Sequence, residues 1–224
     1  MFETEERGSK SDRTRARISA AAIDSFTTRG YTDTTMRSIA EQAGVSVGNA
    51  YYYFPSKEHL VQALYEQVQR EHEHLARERL EGVTALVDRL RTVYLSGLDA
   101  LAPYRAVAPG FLTAMIPPDS PLNPLSTESS PARDTTVALF RDAVEGAQHR
   151  LPDDVVAPLP EALLVGHLAL VLRWTYDQSP DQTNTRTLLA TGLRLLALAL
   201  PFVRVPGVHS AVRDLLVQVA EVRS

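Results

Sequence analysis

Between Thr34 and Phe54 the chain writes two short helices joined by a glycine, and this segment restricts the possible folds more than any other part of it. Thr34 and Thr35 place N-cap hydroxyls ahead of a helix over 36–43. Gly44 then supplies a turn where a positive φ is cheap. Ser46 can cap a second helix over about 47–54, which Pro55 and Ser56 break. Upstream, Ile18, Ala22 and Phe26 recur every fourth residue between about Asp12 and Arg29, the spacing of one helical face, and Gly30 closes that helix. Ile39, Ala40, Val45 and Phe54 are spaced to pack the two short helices on the first, and the small Ala40 and Ala43 allow close approach. The result is a three-helix unit whose third helix keeps a small, polar N-terminal end: Ser46, Val47, Gly48 and Asn49.

In a helix-turn-helix it is this end of the second short helix that enters the major groove of DNA. Gly48 keeps the surface low, and Asn49 can both donate to and accept from a base edge. The hydroxyls of Tyr51 and Tyr53 can reach phosphates, with Lys57 adding charge beside them. Three consecutive tyrosines point about 100° apart on a helix, so they cannot all be buried. Tyr51 and Tyr53 are expected on the DNA side, with Tyr52 packed or half exposed. The charge distribution agrees: residues 10–57 hold seven basic and four acidic side chains, although the whole chain carries −4. A locally basic module on an acidic body fits phosphate binding at one end only. Arg13, Arg15 and Arg17 are either a solvated face or phosphate contacts.

The string Gly30-Tyr31, Thr34-Thr35, Ile39-Ala40, Ala43-Gly44-Val45-Ser46, Gly48, Tyr51, Phe54-Pro55-Ser56-Lys57-Glu58 and Leu60 resembles the tetracycline-repressor (TetR/AcrR) family of bacterial regulators. It covers about the first quarter of the chain. The resemblance implies a DNA-binding module at the N-terminus followed by a variable all-helical domain for ligand binding and dimerisation. It also implies DNA contacts by Thr35, Arg37, Val47, Gly48, Asn49, Tyr51, Tyr53 and Lys57. Two positions depart from the pattern: Ala50, where the family often has a larger aliphatic residue, and Tyr53, where it often has histidine. The smaller side chain of Ala50 is expected to loosen packing beneath the recognition helix.

The remainder also reads as helical. A long helix is expected over 57–80 with Leu60, Leu64, Val68 and Leu75 buried. Others follow over about 83–101, 104–116 (broken by Pro109-Gly110), 133–149, 160–178, 184–200 and 208–222. Five prolines make Pro117–Pro131 a loop, read as a mobile entrance. No β alternation and no internal repeat is visible. The expected fold is therefore all-α with about nine or ten helices. A disordered tail over 1–9 precedes a helix-turn-helix domain over 10–56. A helical regulatory and dimerisation domain occupies 57–224, with 57–80 as the linking helix.

A small, mostly apolar effector is expected in that second domain, lined by Tyr94, Phe111, Met115, His167, Trp174 and Tyr176. The alternative is that these side chains fill the core, in which case the chain binds DNA without ligand control. Arg173 suits an anionic ligand, or an ion pair with Asp177 four residues on. A homodimer interface is expected on the last long helices, through Leu188, Gly192, Leu195 and Ala199; the resemblance implies the same arrangement. The absence of cysteine excludes disulfides, thiol catalysis and cysteine-based zinc sites. His72 and His74, two apart on a helix, point to different faces, so no metal is expected. No Gly-x-Ser-x-Gly elbow, phosphate loop or dinucleotide fingerprint occurs, and neither an enzymatic activity nor a cofactor is expected. No apolar run long enough for a membrane span and no signal peptide stands out, and the expected compartment is the cytoplasm.

Overall fold

The computed structural model describes the backbone of residues 2–221 and the side chains of residues 10–221. Among the described residues there are eleven α-helices, three short 3-10 turns and no strand. They form two compact units. The first comprises Met1–Gln67 and Tyr104–Ser129, the second Val68–Pro103 and Ser130–Ser224.

In the first unit α1 spans Phe2–Arg29, α2 Met36–Ala43 and α3 Val47–Tyr53. Helix thus occupies the stretch from Phe2 where a disordered tail over 1–9 was expected, because no proline interrupts it; the side chains of those residues lie outside the described ones. Ile18, Ala22 and Phe26 are buried together on α1, as their spacing demands. Ile39 and Ala40 are buried where α2 packs on α1, and Ala50 is buried where α3 packs on α2. Ala50 is fully buried, so the short side chain lets α3 sit close rather than leaving it loose. The helix ends are locally encoded. Thr35 accepts from the Ser38 N–H at 3.1 Å while Ser38 Oγ accepts from the Thr35 N–H at 3.1 Å, a reciprocal capping box. Gly44 sits at φ +62° and closes α2.

The helix α4, Lys57–Leu80, contributes to both units. Its buried stripe runs Leu60, Leu64, Val68, His72, Ala76 and Leu80, in steps of four. Leu75, expected on that stripe, is only half buried because it stands one residue short of Ala76. The domain limits also differ from expectation. The helix α6, Ala108–Met115, belongs to the first unit, where Phe111 meets Phe26 edge-on at 5.4 Å and Tyr31 at 6.2 Å. The proline-rich loop after it is braced. Ser120 Oγ donates to the Ala114 carbonyl at 2.6 Å, and the Pro121 carbonyl accepts from Gln62, Ser126 and Ser129.

The second unit holds α5 (Leu86–Leu101), α7 (Ser130–Glu145), α8 (Asp153–Val156), α9 (Leu159–Thr175), α10 (Thr183–Ala199) and α11 (Pro206–Ala220). Leu90, Val93, Leu98, Leu139, Phe140, Leu164 and Trp174 form its core. Arg89 of α5 donates to the Asp142 and Ala143 carbonyls at 2.9 Å each at the C-terminal end of α7, where the Asp142 carbonyl also accepts the Gly146 N–H. Asp177 acts as a remote cap for α10. It is fully buried and accepts from the N–H and hydroxyl of both Ser179 and Thr185 at 2.6–3.0 Å. Burial pushes its carboxyl up, but these hydrogen bonds outweigh burial and hold it well below the usual carboxylate range. Arg173 approaches the same carboxylate at 3.9 Å, so the ion-pair alternative for Arg173 is the one formed.

The last two helices are covered on one side only. On α10 Leu188, Leu195 and Leu198 are exposed, and the space around Gly192 is open; on α11 Val208, Leu215 and Val217 are exposed. Two stretches, Asp153–Thr175 and Pro180–Phe202, are long and apolar enough by composition to cross a membrane, although the sequence suggested none. Of these, α9 packs on α7, and α10 buries Thr185, Leu189 and Leu193 on one side.

Candidate nucleic-acid interface

The candidate surface is built on α2 and α3. Ser46 Oγ accepts the Asn49 N–H at 3.1 Å, which starts α3 directly after the Gly44 turn. Gly48 and Asn49 are exposed at the beginning of α3, and Val47 beside them is half buried. A Cβ built on Gly48 would meet nothing within 4 Å. The fold therefore does not require glycine there, whereas the close approach of another molecule would. Thr35 and Arg37, at the start of α2, are both exposed, and the Thr35 hydroxyl serves the capping box as well.

The three tyrosines rank differently from expectation. Tyr52 is the most open at 80% exposure, Tyr51 is 49% exposed, and Tyr53 is half buried with Tyr52 edge-on against it at 5.3 Å. Burial of Ala50 fixes the rotation of α3, and Tyr52, two positions on, is turned to the opposite side. Tyr52 is thus a candidate contact that sequence spacing alone did not single out.

Lys57 is turned inward. Its ammonium donates to the Tyr31 carbonyl at 2.7 Å and lies 4.4 Å from the centre of the Tyr31 ring. The Tyr31 hydroxyl in turn donates to Glu58 at 2.9 Å; burial and this carboxylate push the phenol up. Two of the N-terminal arginines are also engaged within the unit. Arg17 donates to the Ala43 and Gly44 carbonyls, and Arg15 lies over the Phe54 ring.

The residues expected to line an effector pocket are divided between the two units. Phe111 and Met115 belong to the first unit, because the Phe111 ring completes the cluster of Phe26 and Tyr31. Tyr176 is 58% exposed beyond the end of α9. Trp174 is buried in the core of the second unit. Tyr94 and His167 do come together, their rings 6.0 Å apart, within a cluster that also holds Phe140 and His72. The His72 and His167 rings stack at 5.4 Å with 17° between planes. His72 Nε2 donates to the Val93 carbonyl at 2.9 Å, which fixes its tautomer. Its Nδ1 lies 3.4 Å from Gln69 Oε1, which accepts the Thr136 hydroxyl at 2.6 Å. The Tyr94 hydroxyl donates to the Leu163 carbonyl at 2.9 Å. His167 Nδ1 is buried without a hydrogen-bond partner. Burial in this apolar setting lowers His72 to about 4, and burial together with His72 lowers His167 to about 3, so both are neutral. Gly97 makes room for the pair: a Cβ there would stand 2.5 Å from His167 Cε1. His72 was legible as a buried residue from its place four after Val68; its stacking partner was not.

Known proteins resemble the chain in two parts. Residues 18–64 match the family model described as bacterial regulatory proteins, tetR family. Residues 89–203, more than half of the chain, match the model described as tetracyclin repressor-like, C-terminal domain. The HTH-type transcriptional regulator TtgR of Pseudomonas putida is 48% identical over 64 residues, 29% of this chain and 30% of TtgR. The matched stretch therefore spans under a third of that relative's length. Among solved structures, Salmonella enterica GusR is 28% identical with a TM-score of 0.61, covering 84% of this chain and 95% of GusR. A putative TetR-family regulator from Syntrophomonas wolfei shares the fold at 17% identity and a TM-score of 0.67, covering 84% of this chain and 96% of its own.

Proposed function

The chain belongs to the tetR family of bacterial regulatory proteins, and from that membership we propose that it is a cytoplasmic transcription regulator. It binds a near-palindromic double-stranded operator as a homodimer, represses transcription there, and lets go when a small, mostly apolar effector occupies its second unit. The observation that carries the reading is the outward face of α3, where Gly48 has open space above it and Asn49, Tyr51 and Tyr52 are exposed beside it. Arg37 and Thr35 flank that face from α2. Asn49 reads a base edge, and the tyrosine hydroxyls contact the backbone.

Dimerisation is supported by the exposed apolar side of α10 and α11: Leu188, Leu195 and the open Gly192, with Ala199 also exposed. A two-fold pairing there covers the same patch on both copies and sets two α3 helices about one DNA turn apart. For the effector, the supporting observation is the buried cluster of Tyr94, His72 and His167, whose Nδ1 lacks a partner. A few polar groups in an apolar setting orient small ligands, and a ligand preferring one conformation of the second unit shifts operator affinity by that preference. The second reading, a regulator without ligand control, is favoured by the close burial of Trp174 and Tyr94, which fill the core.

Selection of bound duplexes from a random DNA pool tests the main reading. Enrichment of a near-palindrome whose binding weakens steeply with salt is the expected result. Recovery of no enriched sequence at any salt concentration would end it. A thermal-shift screen of apolar compounds, followed by operator titration, separates the two variants: an effector must both stabilise the protein and lower operator affinity.

A further inference from the structure

We infer that Arg15 and Arg17 are positioning residues for DNA recognition, holding α3 from behind rather than neutralising operator phosphates. The inference rests on the DNA-binding reading and adds how the recognition helix is aimed. The seven residues of α3 bury a single side chain, the methyl group of Ala50. That burial sets which side of α3 faces inward, with Val47 and Tyr53 half buried beside it, and the two ends of α3 set the remaining pose of Gly48 and Asn49.

Arg17 governs the entry. Its Nη2 donates to the Ala43 carbonyl and, at 3.2 Å, to the Gly44 carbonyl, in the turn that leads into α3. These carbonyls lie at the C-terminal end of α2, which leaves acceptors unsatisfied and carries partial negative charge. The chain is already bent left-handed at Gly44, whose N–H bonds to the Glu41 carbonyl at 3.1 Å. The guanidinium thus ties the turn to α1 across 27 residues of sequence. Room for it is conditional: a Cβ on Gly44 would stand 3.2 Å from the same Nη2.

Arg15 governs the exit. Its guanidinium lies 4.7 Å from the centre of the Phe54 ring, and Phe54 is the residue at which α3 ends, 1% exposed. A planar cation over an aromatic face is both attractive and orienting. Lys57 repeats the device one step later, donating to the Tyr31 carbonyl over the Tyr31 ring at the start of α4. Arg15 and Arg17 remain exposed, yet these charges, which composition alone would assign to the DNA, each have a partner within the unit.

The test uses the full-length protein, the duplex recovered by selection, and an unrelated duplex of equal length. Arg17→Ala and Arg17→Lys are compared with the parent over a salt series. A positioning role predicts that both weaken the selected duplex about tenfold, since a lysine ammonium stops one bond short of the Nη2 position that serves both carbonyls. Binding of the unrelated duplex and the salt slope stay at parent values. A phosphate contact predicts instead that Arg17→Lys behaves as the parent, while Arg17→Ala weakens both duplexes alike and lowers the slope by about 1.8, one contact being lost from each protomer of the dimer; that result overturns the inference. So does parent-like discrimination in both variants. Arg15→Met, which keeps a long apolar cover over Phe54, carries the same comparison independently if Arg17→Ala does not fold. Enrichment of a duplex by the parent decides the regulator reading separately, before any variant is made.

Discussion

Acid should weaken the second unit through its two buried histidines, and the size of the effect can be worked out. Unfolded, each imidazole takes a proton near pH 6.5. Folded, His72 does so only near 4 and His167 only near 3, because burial disfavours the charged form. Both folded values are depressed, so below pH 6.5 the unfolded chain binds protons that the folded chain refuses. The stability is complete above that pH, falls as the pH drops through it, and stops falling only below the folded values. The slope for the pair is at most about 3 kcal/mol per pH unit. By pH 5 the loss approaches about 4 kcal/mol, a large share of the 5–15 kcal/mol typical of a domain. Repulsion between the stacked rings does not enter in this window, since both are neutral in the folded protein. Urea denaturation at pH 8, 7, 6 and 5 on the parent and on His167→Leu measures it. The carboxylates contribute equally to both proteins, so the difference between the two profiles isolates the histidine. His167→Leu should lose about 2 kcal/mol less than the parent on going from pH 7 to pH 5. Superimposable profiles would refute the reasoning, because they would mean that His167 takes its proton as readily folded as unfolded.

Asn49→Ala should alter the preferred base at one operator position in each half-site, at about 1–3 kcal/mol if the contact is bidentate, as read from selection on the variant. Tyr51→Phe should weaken all duplexes evenly, seen as a parallel shift of binding curves. Leu195→Glu places a charge beside its own symmetry mate and should give a monomer by sedimentation that no longer retains the operator; a dimeric variant would move the interface off α10. Gly97→Ala drives a methyl group to 2.5 Å from His167 Cε1 and should cost about 1–3 kcal/mol by thermal or urea melting.

What could be read from the sequence was what depends on neighbours along the chain. The spacing of Ile18, Ala22 and Phe26 put one face of α1 inward, and Gly30 and Gly44 ended helices at φ +82° and +62°. Thr35 and Ser46 stood at helix starts and serve as caps. Contacts across long sequence separations were not legible. Phe111 lies on a segment broken by Pro109-Gly110, and nothing local says that its ring goes to Phe26 and Tyr31 rather than to Trp174. Lys57 and Arg17 looked like surface charges because their carbonyl partners are 26 and 27 residues away. Tyr52 could not be ranked against its two neighbours until the burial of Ala50 fixed the rotation of α3.

The discontinuous first unit bears on how such regulators can be recombined. The chain leaves this unit after Gln67, returns at Tyr104 and leaves again after Ser129. A fragment cut at residue 67 would carry α2 and α3 intact, yet it would uncover the rings of Phe26 and Tyr31 that Phe111 shields. Grafting the helix-turn-helix onto another helical domain therefore calls for two exchanged segments rather than one. The second must bring α6 and the loop pinned at Pro121 along with it. A chimera joined at the single boundary that the helix-turn-helix motif suggests would inherit an apolar scar, and with it a tendency to aggregate.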